Sequence, residues 1–524
     1  MLTPGQMEAA AEGLSPIFED LEDFVVRDLV RRLIAAEGQW TGTAELQSNF
    51  GVAAGVSLDD VVLAISRAMG LAEDELAAVF NKAGALNILS ENERLTGAGL
   101  SAIKIERLPF LQQIVEEVII QTRGTLRNMS RSTAIGIVRD TVGGRMFMGL
   151  QAYYQHSVDT AMLKVRAGVQ SPTQAIRDAI KELSVSGLSI NYGSGYNSRL
   201  DVAVRRAVLT GINQMAAIQN AQIADDLGLP LAEVTAHQGA RPSHAEWQGK
   251  VFQIRGSSKK YKNLAMATGM GKVWGLLGAN CRHSWHGFAE GMPRTWTDEM
   301  LDNVDPPPFE YRGHTYDAYG ATQYQRAMER SIRSKKRELV GYDAAGDTDA
   351  FEAASKELKD IRKEYKRFSD RADLRLKNER AQVLGYGRSI SQKSVQAAKK
   401  YEEKLRKAAE ERAIIKEIKE TGIKGQEFTL KPKKINLDEF EFDDQHINKD
   451  NKRNISREEA ESYVENAVMM VTRYDGKSLN YYSKNGATYV RIDKKLIRTA
   501  FSETDFDKKT ESVMEVLRKW NRLT

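Results

Sequence analysis

The chain has a single cysteine, Cys281, in 524 residues, so it has no internal partner for a disulfide. That excludes the cross-linked framework of small secreted proteins and leads us to expect synthesis in a reducing compartment. No stretch approaches the eighteen or so apolar residues that cross a bilayer, and the opening "MLTPGQMEAAAEG" lacks the basic start of a secretion signal. A soluble protein made in a cytoplasm, with no membrane partner, is the expectation. Charge of one sign is missing too: 76 basic against 71 acidic groups leave a formal net charge of +5. This is not the bulk charge of a nucleic-acid coat, although local basic patches stay open. What is present in quantity is apolar, at 41% of residues, and 524 residues exceed one ordinary core. Two to four domains follow.

Spacing along the chain points to a mainly α protein with α+β modules. From Ser15, a cap followed by Pro16, residues Ile17, Leu21, Phe24, Val25, Leu29 and Leu33 recur at helical intervals. Further helical segments run through "LDDVVLAISRAMG", "AEDELAAVF" and "LPFLQQIVEEVIIQTRGTLRNM", separated by glycines or short polar pieces, and residues 1–229 read as a helical N-terminal region. Glycines, aromatics and short apolar pieces such as "EVTAH" and "KVFQI" then suit a small, loop-rich α+β core over 230–310. Residues 311–425 alternate Lys with Glu or Asp at three- to four-residue spacing, the pattern of a charged helical arm with a solvated face. Residues 426–445 switch from basic to acidic without periodicity and read as a linker. A small α+β domain over 446–524 opens on a capping box at Ser456 and Glu459. It continues through "VMMVTRY", "SLNYYS" and "ATYVRID" with turns at Asp475-Gly476 and Asn485-Gly486, and closes on a helix.

Histidine is scarce, with seven in the chain, yet His237, His244, His283 and His286 fall with Cys281 inside one fifty-residue window. The stretches are "HQGARPSHAEWQGKVF" and "GLLGANCRHSWHGFAEG". Imidazole and thiolate together suit zinc, with His237, His244, Cys281 and His283 as candidate ligands. The spacing is unlike a zinc finger: Cys281-x-His283-x-x-His286 is too tight, and proline and glycine interrupt His237 to His244. The simpler reading is a polar network in which Arg241, His244, Gln248 and Asn280 lock two irregular loops together, with Trp247 and Gly249 in the same turn. A Cys281 nucleophile with a histidine base is a third reading that residue types alone allow.

Together these stretches resemble the signature of the phage minor capsid protein 2 family, itself similar to the Mu-type minor head morphogenesis proteins. The Mu-type pattern is Arg-x-x-His followed by Gly-Lys-Val-Phe and later Asn-Cys-Arg-Cys. Arg241, His244, Gly249, Lys250, Val251 and Phe252 match its first part, and Asn280, Cys281 and Arg282 its second. His283 stands in place of the last cysteine, as it tends to in minor capsid protein 2 sequences. The charged helices "QYQRAMERSIRSKKREL" and "RADLRLKNERAQVLG" look like the family's tail, so the resemblance covers roughly 15 to 390. It implies a low-copy protein of the virion, inside the phage head near the portal and made in the bacterial host cytoplasm. Portal protein, major capsid protein and packaged phage DNA would be its partners, and head assembly or DNA passage its role. It implies no settled enzymatic activity for this core.

The last domain resembles, more weakly, the barnase, EndoU, colicin and RelE-like nuclease domains carried by phage minor capsid proteins. A metal-independent ribonuclease acting on host RNA needs a base, an acid and cations for the phosphorane. His446 would be the base, Arg453, Lys484 and Arg498 the cations, and Thr499, Tyr482 or Ser483 the hydroxyl partners. An RNA-cleaving effector packaged in the virion is therefore the alternative function. An inactive cargo domain and another toxin class, such as an ADP-ribosyltransferase, are also open, as is DNA binding by the arm Gln323 to Gly422.

Overall fold

A computed structural model describes residues 2–12, 14–37, 59–130, 135–192, 194–383 and 385–523. It divides into two compact units, Met1–Lys399 and Lys400–Thr524. Helices dominate and strands form small sheets, the mainly α class with α+β modules that the spacing predicts.

The first unit begins with α1 (Pro4–Glu12), α2 (Ser15–Glu37), α3 (Asp59–Gly97) and α4 (Leu108–Ser130). Of the stripe expected on α2, Leu21, Val25, Leu29 and Leu33 are buried and Ile17 and Phe24 half-buried, and Phe18, which the spacing did not include, is buried beside them. The segments read as two helices over 58–80 are one continuous α3. Gly70 sits in it with no neighbour pressing on it, so nothing there forces a break, whereas Gly84 is needed for packing: a Cβ would meet Val115 Cγ2 of α4 at 2.7 Å.

Next come β1 (Ile135–Thr141), β2 (Gly144–Gly149), α5 (Leu150–Arg166), α6 (Pro172–Ser186), β3 (Ser189–Asn191), β4 (Asn197–Arg199) and α7 (Leu200–Asp226). The four strands make one sheet in the order β2-β1-β3-β4. Helix α7 runs through the middle of the unit, packed on α1, α3 and α4.

Residues 311–425, expected as an arm with solvated charge, are instead largely built into this core. Helices α8 (Ala318–Ala345) and α9 (Thr348–Arg371) pack on each other, and α8 also packs on α2 and α6. Buried and half-buried charges on and beside these helices find partners far away in sequence. Arg337 pairs with Glu22, Arg333 with Asp201, and Arg177 donates to Asp347 at 2.7 Å. Removing one member of such a pair would strand the other in a low-dielectric interior. A further helix, α10 (Arg388–Glu420), carries Ile390 in this core.

The second unit has one six-stranded sheet. Its strands are β8 (Phe428–Thr429), β9 (Glu441–Phe442), β10 (Met469–Arg473), β11 (Ser478–Tyr482), β12 (Gly486–Arg491) and β13 (Leu496–Ser502), in the order β8-β10-β11-β12-β13-β9. The stretch 426–445, expected as a linker, supplies both edge strands; each is two residues long, too short to show a period. Helix α11 (Arg457–Glu465) opens on the expected capping box of Ser456 and Glu459. It covers one face of the sheet with Tyr463 and Val464 against Tyr481, Val490 and Ile497. The other face meets Val513, Met514 and Leu517 of α12 (Lys508–Lys519), with Ile414 and Ile418 of α10.

Candidate functional site

The motif stretches flank a three-stranded sheet of the first unit, with β5 (Leu231–Val234) in the centre and β6 (Val251–Gln253) and β7 (Trp285–Phe288) at its sides. Leu231–Val234 pairs antiparallel with Trp285–Phe288, and Val234 stands opposite Trp285. The loop leaving the central strand and the loop entering its neighbour therefore emerge at the same end of the sheet. Chain topology alone brings residues 235–250 and 269–284 face to face.

Hydrogen bonds then interlock the two loops. Thr235 N–H donates to Ser284 O at 2.9 Å, and Ser284 N–H returns to Thr235 Oγ1 at 2.9 Å. Arg241 Nη2 donates to Ala279 O at 2.8 Å. His244 Nε2 donates to Trp274 O at 2.9 Å. Gln248 Oε1 accepts from His237 N–H at 3.1 Å and from His283 Nε2 at 3.2 Å. Trp247 is buried, with its ring centroid 4.4 Å from that of His244 and 4.9 Å from that of His283. Gly249 has φ +66, and a Cβ there would meet Leu301 Cδ2 at 2.3 Å, so this turn needs glycine.

Asn280 acts otherwise than expected. It is exposed and serves through its backbone, at φ 58 in the left-handed region that asparagine tolerates, which turns the chain into Cys281. Arg282 lines the cavity described below.

Of the four candidate ligands, three converge. His244, Cys281 and His283 place Nδ1, Sγ and Nδ1 within 4.8 Å of one another, and all three residues are buried. His237 stays outside this trio and stacks on the His283 ring at a centroid distance of 4.4 Å. Burial lowers the basicity of His244. His283 falls well below the usual imidazole value, through burial first and then the neighbouring His237, His244 and Arg241. Burial pushes the Cys281 thiol up.

His286 faces elsewhere. Its Nε2 lies 3.1 Å from Glu233 Oε2, and Glu233 also accepts from Thr295 N–H at 2.9 Å and Trp296 N–H at 3.2 Å. Burial pushes the Glu233 carboxyl up, but these bonds outweigh it and hold it below its ordinary value.

Spacing did not single out Glu233, nor the amides on α7. Asn213 Nδ2 donates to His283 O at 2.9 Å, and Asn220 Nδ2 to Trp285 O at 2.7 Å, so α7 carries the motif loop on two buried amides. The available signal is two asparagines seven residues apart on an otherwise apolar helical face.

His237, Arg241, His244, Cys281 and His283 all line one cavity of about 1000 Å³. Eight arginines and three carboxylates border it, so its charge is positive although the chain is nearly balanced.

The residues named for the last domain divide into three places. Asp443 brings His446 and Arg498 together: it accepts from His446 N–H at 3.0 Å and pairs with Arg498. Arg453 lies over the Phe501 ring at 5.0 Å, and Thr499 stands opposite Tyr489, whose hydroxyl lies 3.0 Å from that of Tyr482. Lys484 is exposed in the β11–β12 turn, where Ser483 Oγ is bound to Gly486 O at 2.8 Å.

No curated protein and no solved structure matches the chain. The model of the family described as Phage minor capsid protein 2 matches residues 2–370, well over half of the chain. That range takes in both interlocked loops and nearly all of α9. The chain thus belongs to the phage minor capsid protein 2 family and is a component of the phage virion.

Proposed function

We propose that this chain is a low-copy component at the portal vertex, inside the head, where it contacts portal and major capsid protein during head assembly or DNA passage. The family match over residues 2–370 carries this reading. The arginine-lined cavity supports contact with a polyanion such as packaged DNA, because arginine meets phosphate through paired donors. Quantitative mass spectrometry of purified particles tests it. The expected result is this chain at a small fraction of the major shell protein; absence from particles, or equal copy number, would overturn it.

For residues 400–524 an RNA-cleaving cargo is a second reading. It draws on the backbone N–H of His446 and the guanidinium of Arg498 meeting at the Asp443 carboxylate, which keeps an imidazole-bearing residue and a cation in one neighbourhood. Full-length protein and His446→Ala would be expressed and compared for cell growth and integrity of host RNA. Damage by the parent alone supports cleavage, and equal harmlessness removes the case for it.

A further inference from the structure

We propose that His244, Cys281 and His283 form a binding site for a divalent transition-metal ion, zinc by ligand chemistry, with a fourth position open to the arginine-lined cavity.

Ligand spacing is the first support. The two Nδ1 atoms are 3.4 Å apart, and Sγ is 3.8 Å from each. Zn–N bonds of about 2.0–2.1 Å and a Zn–S bond of about 2.3 Å at tetrahedral angles require roughly 3.3 Å between nitrogens and roughly 3.6 Å between nitrogen and sulfur. The trio is already set at nearly these separations.

Proton placement is the second and independent support. Trp274 O can only accept, so His244 carries its proton on Nε2. Gln248 Oε1 is fixed as the oxygen by the His237 N–H that donates to it, so His283 also carries its proton on Nε2. Both Nδ1 atoms are therefore lone pairs facing each other across 3.4 Å, with the Cys281 thiol 3.8 Å from each. Two facing acceptors repel, and a cation between them turns that repulsion into two bonds. A carbonyl or amide oxygen on the far ring nitrogen is the usual outer support of a ligating histidine, and both histidines have one.

Two imidazoles and one thiolate select zinc over hard cations such as magnesium or calcium. Because all three side chains line the cavity, water or an anion completes the tetrahedron from that side. The loops would then be tied by an ion as well as by hydrogen bonds.

The test uses the full chain, purified in a non-thiol reductant. Metal analysis is expected to find one zinc per chain. After removal by chelator, titration with Co²⁺ is expected to give tetrahedral d–d absorption and a thiolate charge-transfer band, the latter lost in Cys281→Ala. A second variant guards against misfolding: Gln248→Ala keeps all three ligands and is expected to weaken metal affinity about 10–100-fold in competition with a chromophoric chelator. No stoichiometric metal in the parent together with no Co²⁺ absorption would overturn the site. So would a charge-transfer band that survives Cys281→Ala, or Gln248→Ala binding as tightly as the parent.

Discussion

Asp23 offers a stability change whose sign and size follow from one buried group. Its carboxyl sits in α2 and accepts from Gly385 N–H, and burial raises its pKa from 3.8 to about 6 despite that bond and the nearby Arg27. With the folded value above the unfolded one, the stability associated with the neutral acid is fully present below about pH 3.8. It is lost as pH rises through about 6. The gap of about two units corresponds to roughly 3 kcal/mol at alkaline pH, of which about 2 kcal/mol develops between about pH 4 and about pH 8. Asp23→Asn keeps an acceptor for Gly385 and cannot ionise. Its stability relative to the parent should therefore climb by about 2 kcal/mol over that range. Any constant cost of burying the new amide donor cancels from this slope. Urea denaturation followed by tryptophan fluorescence reads mainly the first unit, since Trp247, Trp274, Trp285 and Trp296 lie within it, and a Trp520→Phe background removes the signal of the second unit. Parallel parent and variant profiles across the whole range would refute the reasoning.

Three further outcomes are expected. Asn220→Leu removes a buried amide donor from the Trp285 carbonyl and one of two acceptors from the Asn87 amide, and should destabilise the first unit by about 2–4 kcal/mol, read by the same fluorescence; a change under about 0.5 kcal/mol would contradict the role given to α7. Gly84→Val forces α3 off α4 at Val115 and should cost about 1–3 kcal/mol in that unit, so an unchanged denaturation midpoint would mean the helices do not approach as described. Ser456→Ala removes half of the capping box and should lower only the second unit's stability, by about 1 kcal/mol in calorimetry; loss from the first unit's transition instead would contradict the division.

Periodicity made the helices legible, because α2 buries four of the six residues that recur at its spacing and half-buries Ile17 and Phe24. Juxtaposition of the two motif loops was legible too, since a compact loop-rich core leaves irregular backbone few other partners, and antiparallel pairing at Val234 and Trp285 delivers it. What spacing could not show is pairing over long sequence distances. The charge on α8 looks like a solvated face until Glu22 meets Arg337 and Asp201 meets Arg333. Strand β8 looks like linker until it pairs with β10 some forty residues on. Within the site, His237 and His244 are equivalent as residue types. Only the fold separates them, one stacked on His283 and the other aimed at Cys281. Glu233 hid inside an apolar strand, where a buried carboxylate looks out of place until its partners from His286 and residues 295–296 are known.

The most direct measurement is an asymmetric reconstruction of the particle that carries this chain. Density matching the first unit, in a few copies inside the shell at the vertex where DNA enters, is the predicted result. The same density repeated over the whole shell, or missing from it, would contradict the account.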